Sequence, residues 1–233
     1  MKRLNQIIHF FLVFIILNIL VNSQTEDKKM IDSIKWLGHS SFKIKQDKVI
    51  YIDPFNISET EPADIILISH IHHDHLSIDD IKKIQAKKTI IVTTADCAKQ
   101  LTGNIKILTP GETIEVDGIK IEGIAAYNPN KKFHPKENKW LGFVININNE
   151  RIYYAGDTDM TDEMKALKNI DIAILPIGGT YTMNAKEAAE AANTFKPKIV
   201  IPCHYGSVVG NKNDAIKFKE LYNGKTEILE KSK

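Results

Sequence analysis

Residues 70–75, His-Ile-His-His-Asp-His, constrain this chain more than any other segment. They hold four of its eight histidines and follow directly on residues 65–69, an apolar run that predicts a short buried strand. Imidazole and carboxylate ligands grouped in one loop are typical of a site for zinc, manganese or iron. A polar surface loop is the alternative interpretation. An acidic residue inside a histidine cluster at the end of an apolar strand favours the metal site.

The spacing within this segment predicts two neighbouring ligand positions. His70 and His72 are two residues apart, so in extended backbone their side chains project to the same side. Asp74 and His75 follow where the chain turns toward a predicted helix capped by Ser77, and we expect them to face a second point nearby.

The hydrophobic pattern predicts an α/β (α+β layered) fold, because strands and helix-like segments alternate after an opening that is mostly strand. Strands are predicted over residues 34–44, 49–52, 65–69, 89–93, 141–147, 151–155, 172–175 and 199–202, with a hairpin over 111–126, and helices over 77–86, 95–101, 161–168, 185–195 and 214–221. Two of these strands, 151–155 and 199–202, are followed closely by Asp157 and His204. Active sites of layered α/β folds collect at the carboxyl ends of strands, so these endings indicate one shared site with residues 70–75.

Composition limits the classes of protein to consider. With 233 residues, 43% of them hydrophobic, the chain is long enough for one domain with a sizeable core, expected over residues 24–233. The formal net charge of +2 equals the contribution of Lys2 and Arg3, so there is no basic surface typical of a nucleic-acid partner. Cys97 and Cys203 are too few for a disulfide framework, and whether they pair is left open. Cys203 is expected to pack in the core.

Residues 1–23 are predicted to be a signal peptide. Lys2 and Arg3 precede an apolar run over residues 7–21, which is short for a spanning helix, and small residues suited to cleavage follow. We therefore expect a protein exported to the periplasm or secreted, with no stable membrane insertion once the signal is cleaved. An uncleaved N-terminal membrane anchor is the alternative.

The H-x-H-x-D-H pattern of residues 70–75 resembles the metal-binding motif of the metallo-β-lactamase superfamily. Other segments resemble this superfamily in the same order, notably its lactonase-like branch, and they are residues 36–40, 52–55, 154–158, 176–179 and 202–206. The resemblance covers residues 34–210 and implies a four-layer αββα sandwich. It is specific for the fold and the metal site, and much less so for the substrate.

The resemblance also implies a set of ligands for two metal ions. Carried over residue by residue, His70 and His72 hold the first metal, Asp74, His75 and His204 hold the second, and Asp157 bridges the two. His73 is the variable position of the motif and is expected to point away. Most members place a third histidine of the first site after the strand that ends here near Ala126, but this chain continues Tyr127-Asn128-Pro129. We expect His134 to complete the first site, since catalytic zinc usually has three protein ligands. Asn128 or water is the alternative.

The function implied by the resemblance is hydrolysis by two divalent metal ions, with zinc favoured and manganese or iron as alternatives. Its substrate would be a small molecule or lipid that carries an ester, lactone, thioester or phosphodiester. The branch includes ascorbate-phosphate lactonase and the phospholipase D that cleaves N-acyl phosphatidylethanolamine. Asp74 and Asp157 are the expected catalytic carboxylates, Asp74 as a proton acceptor and Asp157 as the group that fixes the metal separation.

Two other functional classes stay open at this point. One is a metal-binding protein without turnover, and the other is a di-iron redox protein. Two residues have uncertain roles as well. His39 either lines the pocket or hydrogen-bonds a metal ligand, and an ordinary buried histidine is an equal alternative. Asp53 is either a carboxylate behind the ligands or a turn residue before Pro54.

Overall fold

The computed structural model describes residues 25–232, in two units. The described part of the first unit, residues 25–34, contains a helical stretch over residues 25–32. The second unit, Lys35–Lys233, contains the other elements. The predicted signal peptide lies outside the described residues, so it stays a prediction. Among the residues described, no helix is long and apolar enough to cross a membrane.

The first of two β-sheets has six strands that lie side by side in chain order. These strands are β1 (Ile34–Gly38), β2 (Ser41–Lys45), β3 (Val49–Ile52), β4 (Ala63–Ile68), β5 (Gln85–Thr93) and β6 (Asn104–Ile107). Strands β2 and β3 pair antiparallel, whereas β3 to β6 pair parallel. The carboxyl ends of β3, β4 and β5 therefore meet at one edge of this sheet.

The second sheet has seven strands in the order β13-β12-β11-β10-β9-β8-β7. Its strands are β7 (Thr113–Val116), β8 (Ile119–Ala125), β9 (Leu141–Ile147), β10 (Glu150–Tyr154), β11 (Ile172–Pro176), β12 (Ile199–Cys203) and β13 (Lys225–Thr226). Strands β7 to β10 pair antiparallel and β10 to β13 pair parallel. The polar residues that follow β10 and β12 consequently lie at one edge.

The helices are short, and four of the five described from residue 78 onward begin at a residue whose side chain caps them. From residue 78 onward they are α1 (Ile78–Ile84), α2 (Ala95–Ala98), α3 (Asp162–Lys165), α4 (Ala185–Phe195) and α5 (Lys212–Leu221), with a 3₁₀ turn at Lys136–Asn138. The side chain of Ser77 caps α1, and Asn184 forms a capping box with Glu187 at the start of α4.

The two sheets face each other, and helices cover their outer faces. Tyr154 of β10 points inward, where its ring lies 6.2 Å from that of Phe42 in the first sheet. The preceding residue, Tyr153, points outward because side chains alternate along a strand, and its ring packs edge-on against Phe195 of α4. On the first sheet, α1 packs its buried isoleucines into a core cluster with Ile66 and other strand residues. The αββα order of layers confirms the predicted fold.

Three details of the prediction are wrong. The segment 34–44 is not one strand, because a turn at His39 and Ser40 separates β1 from β2. The prediction also missed β6 and β13, which are short strands with exposed residues and a weak apolar pattern. The other predicted strands and helices are present with ends that shift by a few residues. Cys97 and Cys203 are both free and buried, as expected for core packing of Cys203.

Core packing in β9 gives a testable prediction. The side chain of Phe143 is fully buried, so Phe143→Ala should leave a cavity and lower the free energy of unfolding by about 3–5 kcal/mol. Urea unfolding followed by circular dichroism measures this change. Ile216→Ala is the matched control, because Ile216 is 45% exposed and should change stability by less than about 0.5 kcal/mol. Equal stability of the two variants would contradict this packing.

Candidate metal centre

Three histidines from two loops form a first cluster at the edge of the sheets. His70 follows β4, His72 lies two residues further on, and His134 lies in the long loop between β8 and β9. One ring nitrogen from each lies within 4.8 Å of the others. The His70 Nε2 and His72 Nδ1 atoms are 3.0 Å apart. The structure therefore places His134 with the histidines of the motif, although more than sixty positions separate them in the chain.

Asn128 orients His134 for this position. Its Oδ1 atom accepts hydrogen bonds from the His134 backbone N–H at 3.1 Å and from the ring Nδ1 at 2.7 Å. Because an amide oxygen only accepts, this bond assigns the proton to Nδ1 and leaves Nε2 with a free lone pair. Asn128 thus supports the ligand position of His134 instead of replacing it.

Trp140 forms a wall of the first cluster. The centroid of its ring lies 4.9 Å from those of His70 and His72, and 5.6 Å from that of His134. The indole Nε1–H donates to Asp96 Oδ2 at 2.8 Å, which fixes the ring plane. From sequence, a core or turn role for Trp140 is as plausible as a pocket role, and nothing in the sequence connects it with Asp96.

A second cluster consists of Asp74, His75, His204 and His39. One ligand atom from each residue lies within 4.8 Å of the others, and all four residues are buried. His204 follows β12 and approaches from the second sheet, whereas the other three residues come from loops of the first. The second predicted site is therefore also assembled, with His39 as an additional member.

Asp53 holds His75 from behind. Its carboxylate is fully buried and accepts a 2.7 Å hydrogen bond from His75 Nδ1. It also accepts hydrogen bonds from the Ser69 N–H and Oγ–H groups and from the Tyr154 hydroxyl. In the neutral ring of His75, the bond to Asp53 keeps the proton on Nδ1 and the lone pair on Nε2, which faces Asp157. The structure gives Asp53 both of the open roles, since its carboxylate lies behind a proposed ligand and its backbone turns the chain after β3 with φ of +43°.

Asp157 lies between the two clusters. Its Oδ2 atom is 3.4 Å from His134 Nε2 and 3.0 Å from His204 Nε2. Its Oδ1 atom is 3.3 Å from His75 Nε2. The preceding Gly156 has φ of +66°, and a Cβ there would lie 2.6 Å from the carbonyl oxygen of Leu141. Only glycine fits this sharp turn, which directs Asp157 into the centre.

Burial and charge perturb the titration of the clustered groups. Burial lowers the pKa of His70 and His72, which favours the neutral form that binds metals. Burial also opposes ionisation of Asp157, but His204 and His75 outweigh it and hold its pKa well below the usual range. Against burial, Asp157 and Asp53 raise the pKa of His75. Asp74 has a lowered pKa, because the hydrogen bond from His39 and the nearby His75 outweigh burial.

The donor atoms of these clusters fit metal ions. Several buried atoms around Asp157 have no hydrogen-bond partner among the described residues, namely its own Oδ1 and the Nε2 atoms of His75, His134 and His204. Buried polar atoms are almost always satisfied, so a group of them facing one space indicates a missing partner. Since the group combines imidazole lone pairs with ionised carboxylates, the partner that suits them is a divalent cation.

The structure brings all seven predicted ligands together in one place. They are His70, His72, Asp74, His75, His134, Asp157 and His204. Their roles as ligands remain predictions. His73 has a side chain that is 80% exposed, as expected for a residue that points away. The sequence prediction missed the supporting contacts of Ser69, Tyr154 and Asp96, for which the sequence carries no signal.

Comparison with known proteins agrees with this architecture. The family described as the beta-lactamase superfamily domain matches residues 33–204. A UPF0173 metal-dependent hydrolase from Thermococcus onnurineus is 36% identical over 215 residues, covering 84% of this chain and 94% of that relative. A UPF0173 metal-dependent hydrolase from Nanoarchaeum equitans is 38% identical over 196 residues, covering 80% and 89%.

Solved structures support the same assignment. A protein from Parabacteroides distasonis, assigned as a metal-dependent hydrolase, is 35% identical with a TM-score of 0.74, covering 84% of this chain and 93% of that one. Igni18, a metallo hydrolase from Ignicoccus hospitalis, is 24% identical with a TM-score of 0.68, covering 86% and 95%, and shows the fold alone. The fold, the clustered ligands and these relatives together show that the chain belongs to the metallo-β-lactamase superfamily, as one of its metal-dependent hydrolases.

Proposed function

We propose that this hydrolase uses a dinuclear metal centre, with zinc favoured, to cleave an ester, lactone, thioester or phosphodiester. The position of Asp157 carries the proposal. A single carboxylate lies within 3.4 Å of imidazole nitrogens from both clusters, on His134 of the first and on His75 and His204 of the second. A carboxylate in this position can bind two cations at once and fix their separation.

The residues divide into two ligand sets that share Asp157. His70, His72 and His134 would hold the first ion, and Asp74, His75 and His204 would hold the second. Two divalent ions, when bound, lower the pKa of water and polarise the oxygen of the bond to be cleaved. Asn128 and Asp53 keep the ring protons on the outer nitrogens of His134 and His75, so that Nε2 of each faces the centre.

The two carboxylates would have different tasks. Asp157 would hold the two ligand sets at a fixed separation, and its lowered pKa suits a permanently ionised ligand. Asp74 would take the proton that water loses during attack. The lowered pKa of Asp74 makes it a weak base, so it would hold that proton only briefly and then pass it to the leaving group.

The surroundings of the first site support a substrate with an apolar part. Phe133, beside His134, is 44% exposed, and its ring packs edge-on against Tyr181 at 4.7 Å. The two aromatic side chains come from different loops and form an apolar contact next to a ligand. An acyl chain or a lipid would bury them, and a small molecule with an apolar group would do so in part.

We further propose that the protein is exported, to the periplasm or outside the cell. The basic start at Lys2 and Arg3 and the apolar run over residues 7–21 support a cleaved signal peptide. The alternative is an uncleaved segment that anchors the hydrolase to the membrane.

The bridging role predicts the effect of Asp157→Asn. The amide keeps the size of the side chain but removes the charge shared by the two ions, so the variant should bind fewer than two metals per chain. Its kcat/KM should fall by at least about 100-fold, since even residues behind the ligands cost about 10–100-fold. Metal analysis and turnover of nitrophenyl esters, lactones, thioesters and phosphodiesters test this.

Asp79→Asn is the matched control for that experiment, because its side chain is 94% exposed and pairs with Lys82 of the same helix. It should keep wild-type metal content and rate. If Asp157→Asn behaved like this control, the bridging role would be wrong.

The place of His134 in the first site gives a separate prediction. His134→Ala should reduce the metal content from about two ions per chain to about one, because the first site would keep only His70 and His72 as its own ligands. Metal analysis of the dialysed protein measures the stoichiometry. His73→Ala, in the exposed position of the motif, should keep both ions. An unchanged metal content in His134→Ala would show that His134 is not a ligand of the first site.

A further inference from the structure

His39 occupies a strained turn that the structure holds in place from two sides. It lies between β1 and β2 with φ of +51°, a left-handed conformation that is uncommon for residues other than glycine. Its carbonyl oxygen accepts hydrogen bonds from Trp36 Nε1 at 2.9 Å and from the His204 backbone N–H at 2.9 Å. Backbone strain of this kind persists where surrounding contacts fix it, and it clusters at functional sites.

The side chain of His39 faces the second cluster. It is buried, and its Nε2 atom lies 3.1 Å from Asp74 Oδ2. The centroid of its ring lies 4.1 Å from that of His204. The imidazole is therefore in direct contact with two of the proposed ligands of the second metal.

The three histidines of this cluster approach the same carboxylate oxygen. Asp74 Oδ2 lies 3.1 Å from the Nε2 atom of His39, 3.8 Å from that of His75 and 4.0 Å from that of His204. Ligand atoms around a tetrahedral zinc, with bonds of about 2.0–2.2 Å, lie about 3.3–3.6 Å apart. The three measured distances lie on both sides of that range, so shifts of up to about 0.4 Å would bring the four donors around one cation.

The choice of oxygen distinguishes a ligand from a supporting hydrogen-bond donor. A donor that only orients Asp74 would be expected on the oxygen turned away from the metal. That oxygen is Oδ1, which lies 3.8 Å from the exposed His73. His39 instead faces Oδ2, the oxygen that His75 and His204 also approach.

We infer that His39 is a further protein ligand of the second metal, which rests on the proposed dinuclear function. The second site then has His39, Asp74, His75 and His204 of its own, while the first has three histidines, and both share Asp157. Counting the shared Asp157, the second site has five protein ligands and the first has four. The larger set leaves less room for water, so the second ion should bind more tightly and the first should take the substrate.

Cobalt binding to the wild type, His39→Gln and His39→Asn tests this inference. The Gln amide reaches the position of Nε2 and can still donate a hydrogen bond to Asp74, but it is a poor metal ligand. Asn is shorter and tolerates the left-handed backbone, which guards against misfolding. Stepwise Co²⁺ affinities by chelator competition, together with the visible absorption bands of bound Co²⁺, report on the ligands of the second site without any measurement of activity.

In the wild type we expect two Co²⁺ ions, one bound tightly. In both variants the tight affinity should fall by more than about 100-fold, beyond the 10–100-fold typical of supporting residues, and the absorption bands of that ion should change. His73→Ala should leave affinities and bands unchanged, and melting of the metal-free proteins checks that the variants fold. Wild-type affinity and bands in His39→Gln would overturn the inference and leave the dinuclear proposal intact. A single Co²⁺ ion in the wild type would overturn both.

Discussion

The carboxylate of Asp53 joins the parts of the molecule on which the site depends. It follows β3 of the first sheet and accepts hydrogen bonds from Ser69 and His75, which lie in the loop after β4. It also accepts a hydrogen bond from Tyr154 of the second sheet. A buried charge is costly unless it is fully hydrogen-bonded, so these donors have little freedom to move apart. One buried group thus links the two sheets, the loop that carries the histidine motif and the ring of a proposed metal ligand.

Much of the fold follows from local sequence patterns. The strand before residues 70–75, the Ser77 cap and the helix Ala185–Phe195 agree with the structure because each depends on neighbours in the chain. Most proposed ligands are similarly visible, since they follow apolar strands at a shared sheet edge. The turn at His39 was missed because the flanking segments are apolar and its left-handed backbone depends on Trp36 and His204, which stabilise it from elsewhere.

Contacts between distant segments account for what the sequence could not supply. Whether His134 or Asn128 completed the first site was open from spacing alone. The structure assigns them complementary places, because the amide oxygen binds the outer ring nitrogen and turns the inner one toward Asp157. The hydrogen bond between Trp140 and Asp96 is similar, since it joins residues 44 positions apart. Such pairs form because tertiary packing brings distant segments together, and no periodicity or motif in a single sequence reveals them.

The backbone at the centre explains how so many donors reach one space. His39, Asp53, Gly156 and His204 all have positive φ, each where a strand of one of the two sheets has just ended. A left-handed residue at a strand end reverses the chain within one or two positions, so the side chain stays over the sheet edge instead of following the strand outward. His39 and His204 place their side chains in the second cluster and Asp53 supports it from behind, and all three have the backbone strain that glycine avoids. The geometry of the metal centre is therefore determined by rigid strand ends, which suits ligands that must converge with an accuracy of a few tenths of an ångström.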